Sequence, residues 1–249
     1  MLKTLGIVQA RLGSRRLRGK LARRLGNKSL LEWVVRRVTD CDQLDAVIVA
    51  AGNGPENGTI SELVPADVPV FVGSEHDVLS RFVAALDCYS AESVVRVCAD
   101  NPFIDPHLID RLVSTAAENP DCDYISYQSR CGRPVILSPL GVFAEWTSAE
   151  ALREAAANTR DPLDREHVTR YIYSHPERFK IRLLPAPDSI DRHDVRLTVD
   201  LEEDWEHAET IYDALGPEAL DYQRIALLLE QQPALRERMA ELNRVHIKA

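Results

Sequence analysis

Leu5-Gly-Ile-Val-Gln-Ala-Arg-Leu-Gly-Ser-Arg-Arg-Leu-Arg-Gly-Lys20 decides how the rest of the chain reads. Its apolar half, Leu5–Ala10, predicts a short buried strand. Beyond the basic half, Ser29–Thr39 (SLLEWVVRRVT) carries apolar residues at Leu30, Leu31, Val34, Val35 and Val38, which is helical spacing. The unit is therefore strand, basic loop, helix, with the loop leaving the carboxyl end of the strand, where open α/β sheets place their ligands. Gly13 and Gly19 let backbone N–H groups approach an anion, and Arg11, Arg16 and Lys20 supply fixed charge for charge-assisted hydrogen bonds to phosphate oxygens. Gln9, Ala10 and Ser14 complete the candidate nucleotide-binding segment. Reaction at phosphorus needs such an arrangement, because catalysis there is mostly positioning and neutralisation of charge. A basic run by itself is more often a solvated face; the place after strand one and the paired glycines favour an anion site. The loop is neither a Walker A sequence nor a GxGxxG fingerprint, which disfavours a P-loop ATPase or a dinucleotide enzyme.

Outward from this unit the alternation continues. Strands are predicted at Ala46–Ala51, Val70–Val72 and Ser93–Cys98, and helices near Glu56–Val64, Asp77–Tyr89 and Pro106–Glu118. Strands that are apolar throughout and joined through helices indicate right-handed βαβ units and a mostly parallel sheet covered on both faces. After Asp123–Tyr127 the pattern weakens. Pro134–Phe143 reads as an extended segment broken by Pro139, followed by helices Ser148–Ala157 and Asp164–Ser174. Strands Lys180–Leu184 and Arg196–Val199 come next, then a helix at Glu202–Leu215 and a helical tail from Tyr222 to about Asn243. No linker, repeat or low-complexity tract interrupts this order. The expectation is one α/β domain over residues 1–249, with a subdomain near 129–190 and C-terminal helices over 220–249.

Composition narrows the function. A net charge of −9 opposes general nucleic-acid binding. Yet ten Lys/Arg face one acid, Glu32, between Arg11 and Arg37, so a local anion site sits on an acidic protein. Five scattered cysteines without a CxxC pair read as reduced thiols. The start of the chain has no leader pattern and no stretch approaches the roughly 20 apolar residues of a spanning helix, so a cytoplasmic protein without membrane association is expected.

Two carboxylates stand where they could meet the loop. Asp100 follows the apolar strand ending at Cys98, and Asp200 ends the predicted strand Arg196–Val199. Magnesium on a nucleotide takes one or two protein carboxylates beside phosphate oxygens and waters, so two strand-end aspartates would suffice. Each could instead cap the element that follows it. The seven histidines show no HxxxH or Cys/His grouping, so zinc is not indicated. Asp191-Arg-His-Asp194 reads as a second acidic site or as a polar turn.

Ile7-Val-Gln-Ala-Arg-Leu-Gly-Ser-Arg-Arg-Leu-Arg-Gly-Lys20 resembles the signature of the cytidylyltransferase family that includes the spore coat protein SpsF and, more distantly, the CMP-sugar synthetases for Kdo and acylneuraminate. The resemblance continues through Phe71–Arg81 (FVGSEHDVLSR), Ala99–Asp105 (ADNPFID), Arg165–Val168 (REHV) and Leu197–Asp204 (LTVDLEED), so it spans about residues 5–215 in five ordered blocks. It implies a Rossmann-like nucleotidyltransferase fold. It also implies transfer of CMP from CTP to an acidic or unusual sugar, with release of pyrophosphate, for surface polysaccharide biosynthesis.

The same likeness implies Mg2+ as cofactor on Asp100 and Asp200, and Arg11, Arg16, Lys20 and Asp100 as the catalytic group. Ser74 and Arg81 fall on the base side, with Arg81 read alternatively as an exposed helix arginine. Arg165, Glu166 and His167 fall on the sugar side, where Arg165 would meet a carboxylate and His167 reads as a structural histidine or a proton carrier. A homodimer is also implied, the apolar face formed by Ile225, Leu227, Leu228, Leu229, Leu235, Met239 and Leu242 packing on a second subunit or on the domain itself. Three positions depart from the family pattern: in the loop Arg15 stands where Thr is usual and Arg18 where Pro is usual, and before Asp100 Ala99 stands where Gly is usual. Losing the proline leaves the loop more pliable, and Ala99 demands ordinary backbone angles. The rival readings are a nucleotide-sugar-dependent glycosyltransferase, against which the absence of a DxD pair at Asp100-Asn-Pro speaks, and a catalytically idle nucleotide-binding protein.

Overall fold

The structure, a computed structural model, describes residues 2–14 and 16–246. Position 15, one of the three departures above, lies outside the described residues. In chain order the elements are β1 (Leu2–Ala10), β2 (Arg24–Leu25), β3 (Lys28–Ser29), α1 (Leu30–Thr39), β4 (Ala46–Gly52), α2 (Ile60–Leu63), β5 (Val70–Gly73), α3 (Val78–Tyr89), β6 (Ala91–Cys98) and α4 (Pro106–Glu118). There follow β7 (Tyr124–Gln128), β8 (Glu145–Ser148), α5 (Ala149–Asn158), α6 (Pro162–Glu166), α7 (Arg170–Ser174), β9 (Ile181–Pro185), α8 (Glu202–Leu215), α9 (Tyr222–Gln231) and α10 (Pro233–His246).

One sheet runs in the order β5-β4-β1-β6-β8-β7-β9. Only β8 is antiparallel to its neighbours in it; the other pairings are parallel. Alternate residues of the apolar strands feed two separate cores. Val8, Val49, Val95 and Val97 pack with α1, α4, α8, α9 and α10 on one face. Ile7, Ile48 and Val94 pack with α3, α5 and α7 on the other. Burial on both faces is why these strands read as apolar throughout. With β4 on one side of β1 and β6 on the other, the chain winds outward in both directions from β1, and the carboxyl ends of β1 and β6 open a crevice between their loops.

Three expectations need correction. Arg196–Val199 is not a sheet strand: Leu197 N and Thr198 N both donate to the carbonyl of Pro139, and Val199 N donates to that of Asp100, so the segment lies across the end of the sheet. Pro134–Phe143 joins the sheet only through a bridge between Pro134 and Gln128, its two prolines having no N–H to give, and the strand β8 begins after it. The helix expected over Asp164–Ser174 is two short ones, α6 and α7, parted where Val168 takes a left-handed φ of 47° with its side chain fully buried. The stretch 129–190 contributes β8 and β9 to the seven-stranded sheet.

The tail breaks at Pro233, and Ile225, Leu229, Leu235 and Met239 bury themselves in the larger core while Leu227 stays exposed. Ala99 is absent from the positive-φ residues, as its Cβ requires. Among the described residues, no helix is long and apolar enough to cross a membrane.

Gly141 holds the crossing segment in place. Its φ is 66°, and a Cβ there would stand 2.7 Å from Leu197 C and Thr198 N. Gly141→Ala is expected to cost about 1–3 kcal/mol through strain and backbone contact, read as a lowered urea midpoint; an unchanged midpoint would show that the 197–200 segment is free to move.

Candidate active site

The basic loop turns back into the protein at Gly19, whose φ of 65° favours glycine, and delivers Lys20 into a buried 3-10 turn. There the Lys20 ammonium donates to Asp100 Oδ2 at 3.1 Å, Asp200 Oδ1 at 3.0 Å and the Val199 carbonyl at 2.8 Å. Three N–H groups meet three acceptors, so the buried cation is fully satisfied. Arg16 Nη2 takes the other Asp200 oxygen at 2.7 Å. Residues 80 and 180 positions beyond Lys20 thus meet one nitrogen at the carboxyl end of β1 and β6.

Burial alone would pull the Lys20 ammonium down, but the charges and hydrogen bonds of Asp100 and Asp200 outweigh it and leave the group above its ordinary value of 10.5. Burial likewise works against ionised Asp200, and Lys20, Arg16 and Arg196 overcome it, leaving the carboxyl below 3.8.

Asp200 is held from behind by a pair that sequence reading missed. Arg196 donates through Nε and Nη2 to Asp204 at 2.6 and 3.0 Å, and Asp204 Oδ2 also accepts from Asp200 N and Leu201 N. Both residues are buried. The visible signal was Asp204 in the first turn of α8 behind Leu201, a residue that cannot cap by its side chain, so the orphan N–H groups turn to the acid inside the helix.

A cleft of about 570 Å³ opens beside these groups, and Arg16, Asp100 and Asp200 share its lining with Arg96, His167, Thr169, Arg170 and Tyr173. Its floor is a buried network. Glu145, fully buried on β8, accepts from Arg96, from Tyr124 Oη at 2.5 Å and from Thr169 Oγ1 at 2.7 Å. Arg96 Nε reaches Gln9 Oε1 at 3.2 Å. The left-handed Val168 presents His167 and Thr169 to this cleft. Burial, then the nearby Arg96 charge, lowers the pKa of His167, so its ring is neutral near pH 7.

The remaining predicted residues divide. Glu166 pairs with Arg11 at 3.2 Å near the surface. Arg165 does not face the cleft: it donates to the carbonyls of Ala156 and Thr159 and to Asp77 Oδ2 at 3.1 Å, tying α5 and α6 to the cap of α3. Arg81 is buried, not an exposed helix arginine, and its Nη1 donates to the Ser74 carbonyl at 3.0 Å. Burial, with Arg11 adding to it against the opposing pull of Glu75, lowers its pKa. Ser74 Oγ accepts from Asp77 N, and Ser14 Oγ from Leu17 N. Ala10 is buried at the end of β1 and Gly13 is exposed in the loop. Asp191 and Asp194 belong to a polar turn, accepting from Arg130 and Arg192.

Among the described residues, no cluster of three or more His, Cys, Asp or Glu could cage a metal. What fits is a hard divalent ion that arrives with oxygen ligands of its own. Asp100 and Asp200 converge on one cationic atom, and all the protein donors there are oxygens.

The sequence profile described as cytidylyltransferase matches residues 5–240. The spore coat polysaccharide biosynthesis protein SpsF of Bacillus subtilis is 32% identical over 243 residues, covering 94% of this chain and 98% of its own. Among solved structures, a cytidylyltransferase from Leptospira borgpetersenii superposes with a TM-score of 0.83 at 25% identity, covering 94% of this chain and 97% of its own. A CMP:2-keto-3-deoxy-manno-octonic acid synthetase complexed with CTP superposes with a TM-score of 0.64 at 14% identity, over 85% of this chain and 99% of its own, a likeness of fold.

The two shifted groups set a pH signature. Asp200, depressed in the folded state, contributes stability that is full above 3.8 and is lost as pH falls through its folded value. Lys20, raised, contributes stability that is full below 10.5 and is lost as pH rises through its folded value. The gap in urea midpoint between wild type and Asp200→Asn is therefore expected to be flat across neutral pH and to close below 3.8; a gap that persists in acid would mean Asp200 is not held ionised by its neighbours.

Proposed function

The chain belongs to the cytidylyltransferase family, and on that premise we propose that it transfers the CMP part of CTP to a sugar bearing a carboxylate, for surface polysaccharide synthesis. The observation that carries the reading is the meeting of Lys20, Asp100 and Asp200 under the arginine-rich loop, beside a cleft of sugar size. A sugar hydroxyl attacks the α-phosphorus of CTP in line. The new P–O bond forms as the bond to the β-phosphate oxygen breaks, and the electron pair leaves on pyrophosphate. Arg16 and Lys20 hold the phosphates and take up their charge, with Arg11 at the mouth of the loop. A divalent ion, Mg2+ by preference, would be held by Asp100 and Asp200 and, when bound, supplies neutralisation at the phosphate oxygens. The neutral ring of His167 stands in the cleft as an acceptor for the hydroxyl proton. Arg165 turns away from the cleft, so the sugar carboxylate is assigned to Arg170, which lines the cleft about a third exposed and pairs with Asp161 and Asp164 through Nη1.

Incubation with each nucleoside triphosphate and a panel of 2-keto acid sugars, with pyrophosphate as the readout, is expected to show release with CTP. Asp100→Asn should lower that rate about 10²–10³-fold. Pyrophosphate absent with every pairing, while sugar nucleotides are consumed, would sink the reading.

Mn2+ binding followed by electron paramagnetic resonance gives a second measure. Mn2+ should bind weakly to the protein alone, where the Lys20 ammonium stands between the carboxylates, and tightly once CTP draws that ammonium away. Lys20→Met should bind Mn2+ without CTP; equal binding by wild type with and without nucleotide would remove Asp100 and Asp200 from the metal assignment.

A further inference from the structure

Asn57 sits in the 3-10 turn Pro55–Thr59 and is 6% exposed. Neither its type nor its place belongs to the phosphate loop or to the base-side block Phe71–Arg81. Its side-chain amide nevertheless joins the two. Oδ1 accepts from Leu12 N at 2.8 Å, and Nδ2 donates to Glu75 Oε2 at 2.6 Å. These partners lie 45 residues before it and 18 after it.

On the loop side the bond is the only buried or part-buried tie from a side chain outside the loop to a backbone N–H of residues 11–14, among the described residues. Lys20 anchors the far end of the loop, and between the two ends the ties are ion pairs of long, exposed arginines, Arg11 to Glu166 and Arg16 to Asp200. Such pairs fix a backbone poorly, because each end keeps its rotamer freedom. On the base side Glu75 is itself tied in: its Oε2 accepts from Gly54 N at 3.2 Å, its N–H donates to Asn53 Oδ1 at 3.1 Å, and its charge opposes the buried guanidinium of Arg81. The crowding is tight, since a Cβ on Gly52 would stand 1.7 Å from Glu75 Oε2.

We infer that Asn57 is a positioning residue that fixes the distance between the phosphate loop and the base-side segment, and that base discrimination depends on this link. The inference rests on the CTP reading above. A nucleotide anchored by its phosphates presents its base at a place set by the loop. Only if the base-side segment is rigidly spaced from the loop does a wrong base meet unpaired polar groups and lose affinity. Slack in the link lets either pyrimidine settle.

The polarity of the amide gives a specific test. Asn57→Asp keeps an acceptor for Leu12 N but sets a carboxylate against that of Glu75. In the double variant N57D/E75Q the new amide can donate back to the new carboxylate, so the bridge is rebuilt with its polarity reversed. Calorimetric titration of CTP and UTP into wild type, N57D, E75Q and N57D/E75Q is the experiment, with thermal unfolding in parallel. N57D should bind CTP about tenfold more weakly and lose at least about threefold of the CTP-over-UTP preference. E75Q, which retains an acceptor for Asn57, should change little, and the double variant should recover both quantities.

A merely structural role would lower the melting temperature of N57D without moving the CTP-to-UTP ratio. That outcome, or a double variant no better than N57D, overturns the assignment. Should N57D not fold, recovery of wild-type CTP affinity and preference in the double variant supports the link, and a double variant that folds without that preference overturns it. Wild type that binds CTP beside an unaffected N57D ends this inference alone, whereas wild type that binds no CTP ends the proposed function with it.

Discussion

A lysine ammonium with three oxygen partners, two of them carboxylates, is the constraint around which the site is arranged. Lys20 is nearly buried, its side chain 9% exposed, and a cation so placed survives only when every N–H is met and nearby charge offsets its lost hydration. The partners come from two stretches of chain, 80 and about 180 residues beyond the lysine, so the requirement reaches far. β1 and β6 must lie side by side to bring the loop and Asp100 together, and the 196–200 segment must cross the sheet end to bring Val199 and Asp200. Gly19 supplies the left-handed turn before the lysine, Gly141 the close backbone approach to residues 197–198, and the Arg196–Asp204 pair the support behind Asp200.

On the proposed function, the same arrangement would receive a polyanion. Two carboxylates are balanced by Lys20 and Arg16, both of which sit at the end of a basic loop and can exchange carboxylate for phosphate. On the proposed function, that exchange would leave Asp100 and Asp200 to hold a divalent ion beside the triphosphate. The electrostatic demands of the empty and occupied site are therefore complementary.

Beneath the cleft a second buried network binds the far wall to the sheet. Glu145 on β8 faces Arg96 on β6 and also takes the hydroxyls of Tyr124 and Thr169. Removing any one partner would strand charge or a polar group in the core, a larger penalty than the pair's net gain. This explains why a charged residue occupies a central strand, and why the helix expected across residues 164–174 breaks at Val168: Thr169 turns inward to Glu145.

Much of the fold was legible because the strands β1, β4 and β6 are buried on both faces and the helices α1, α3 and α4 carry their apolar stripes and caps in plain sequence. The placement of the basic loop and of Asp100 at the carboxyl end of the sheet was legible too, since both follow directly from a strand end. Tertiary contacts alone decided that Arg196–Val199 crosses the sheet without joining it, that Arg165 serves Asp77 and two carbonyls, and that Asn57 joins the basic loop to Glu75. Period and propensity report how a residue's neighbours in sequence pack. They are silent on a polar side chain whose partners lie tens of residues away, because its hydrogen bonds are satisfied only by the path the whole chain takes.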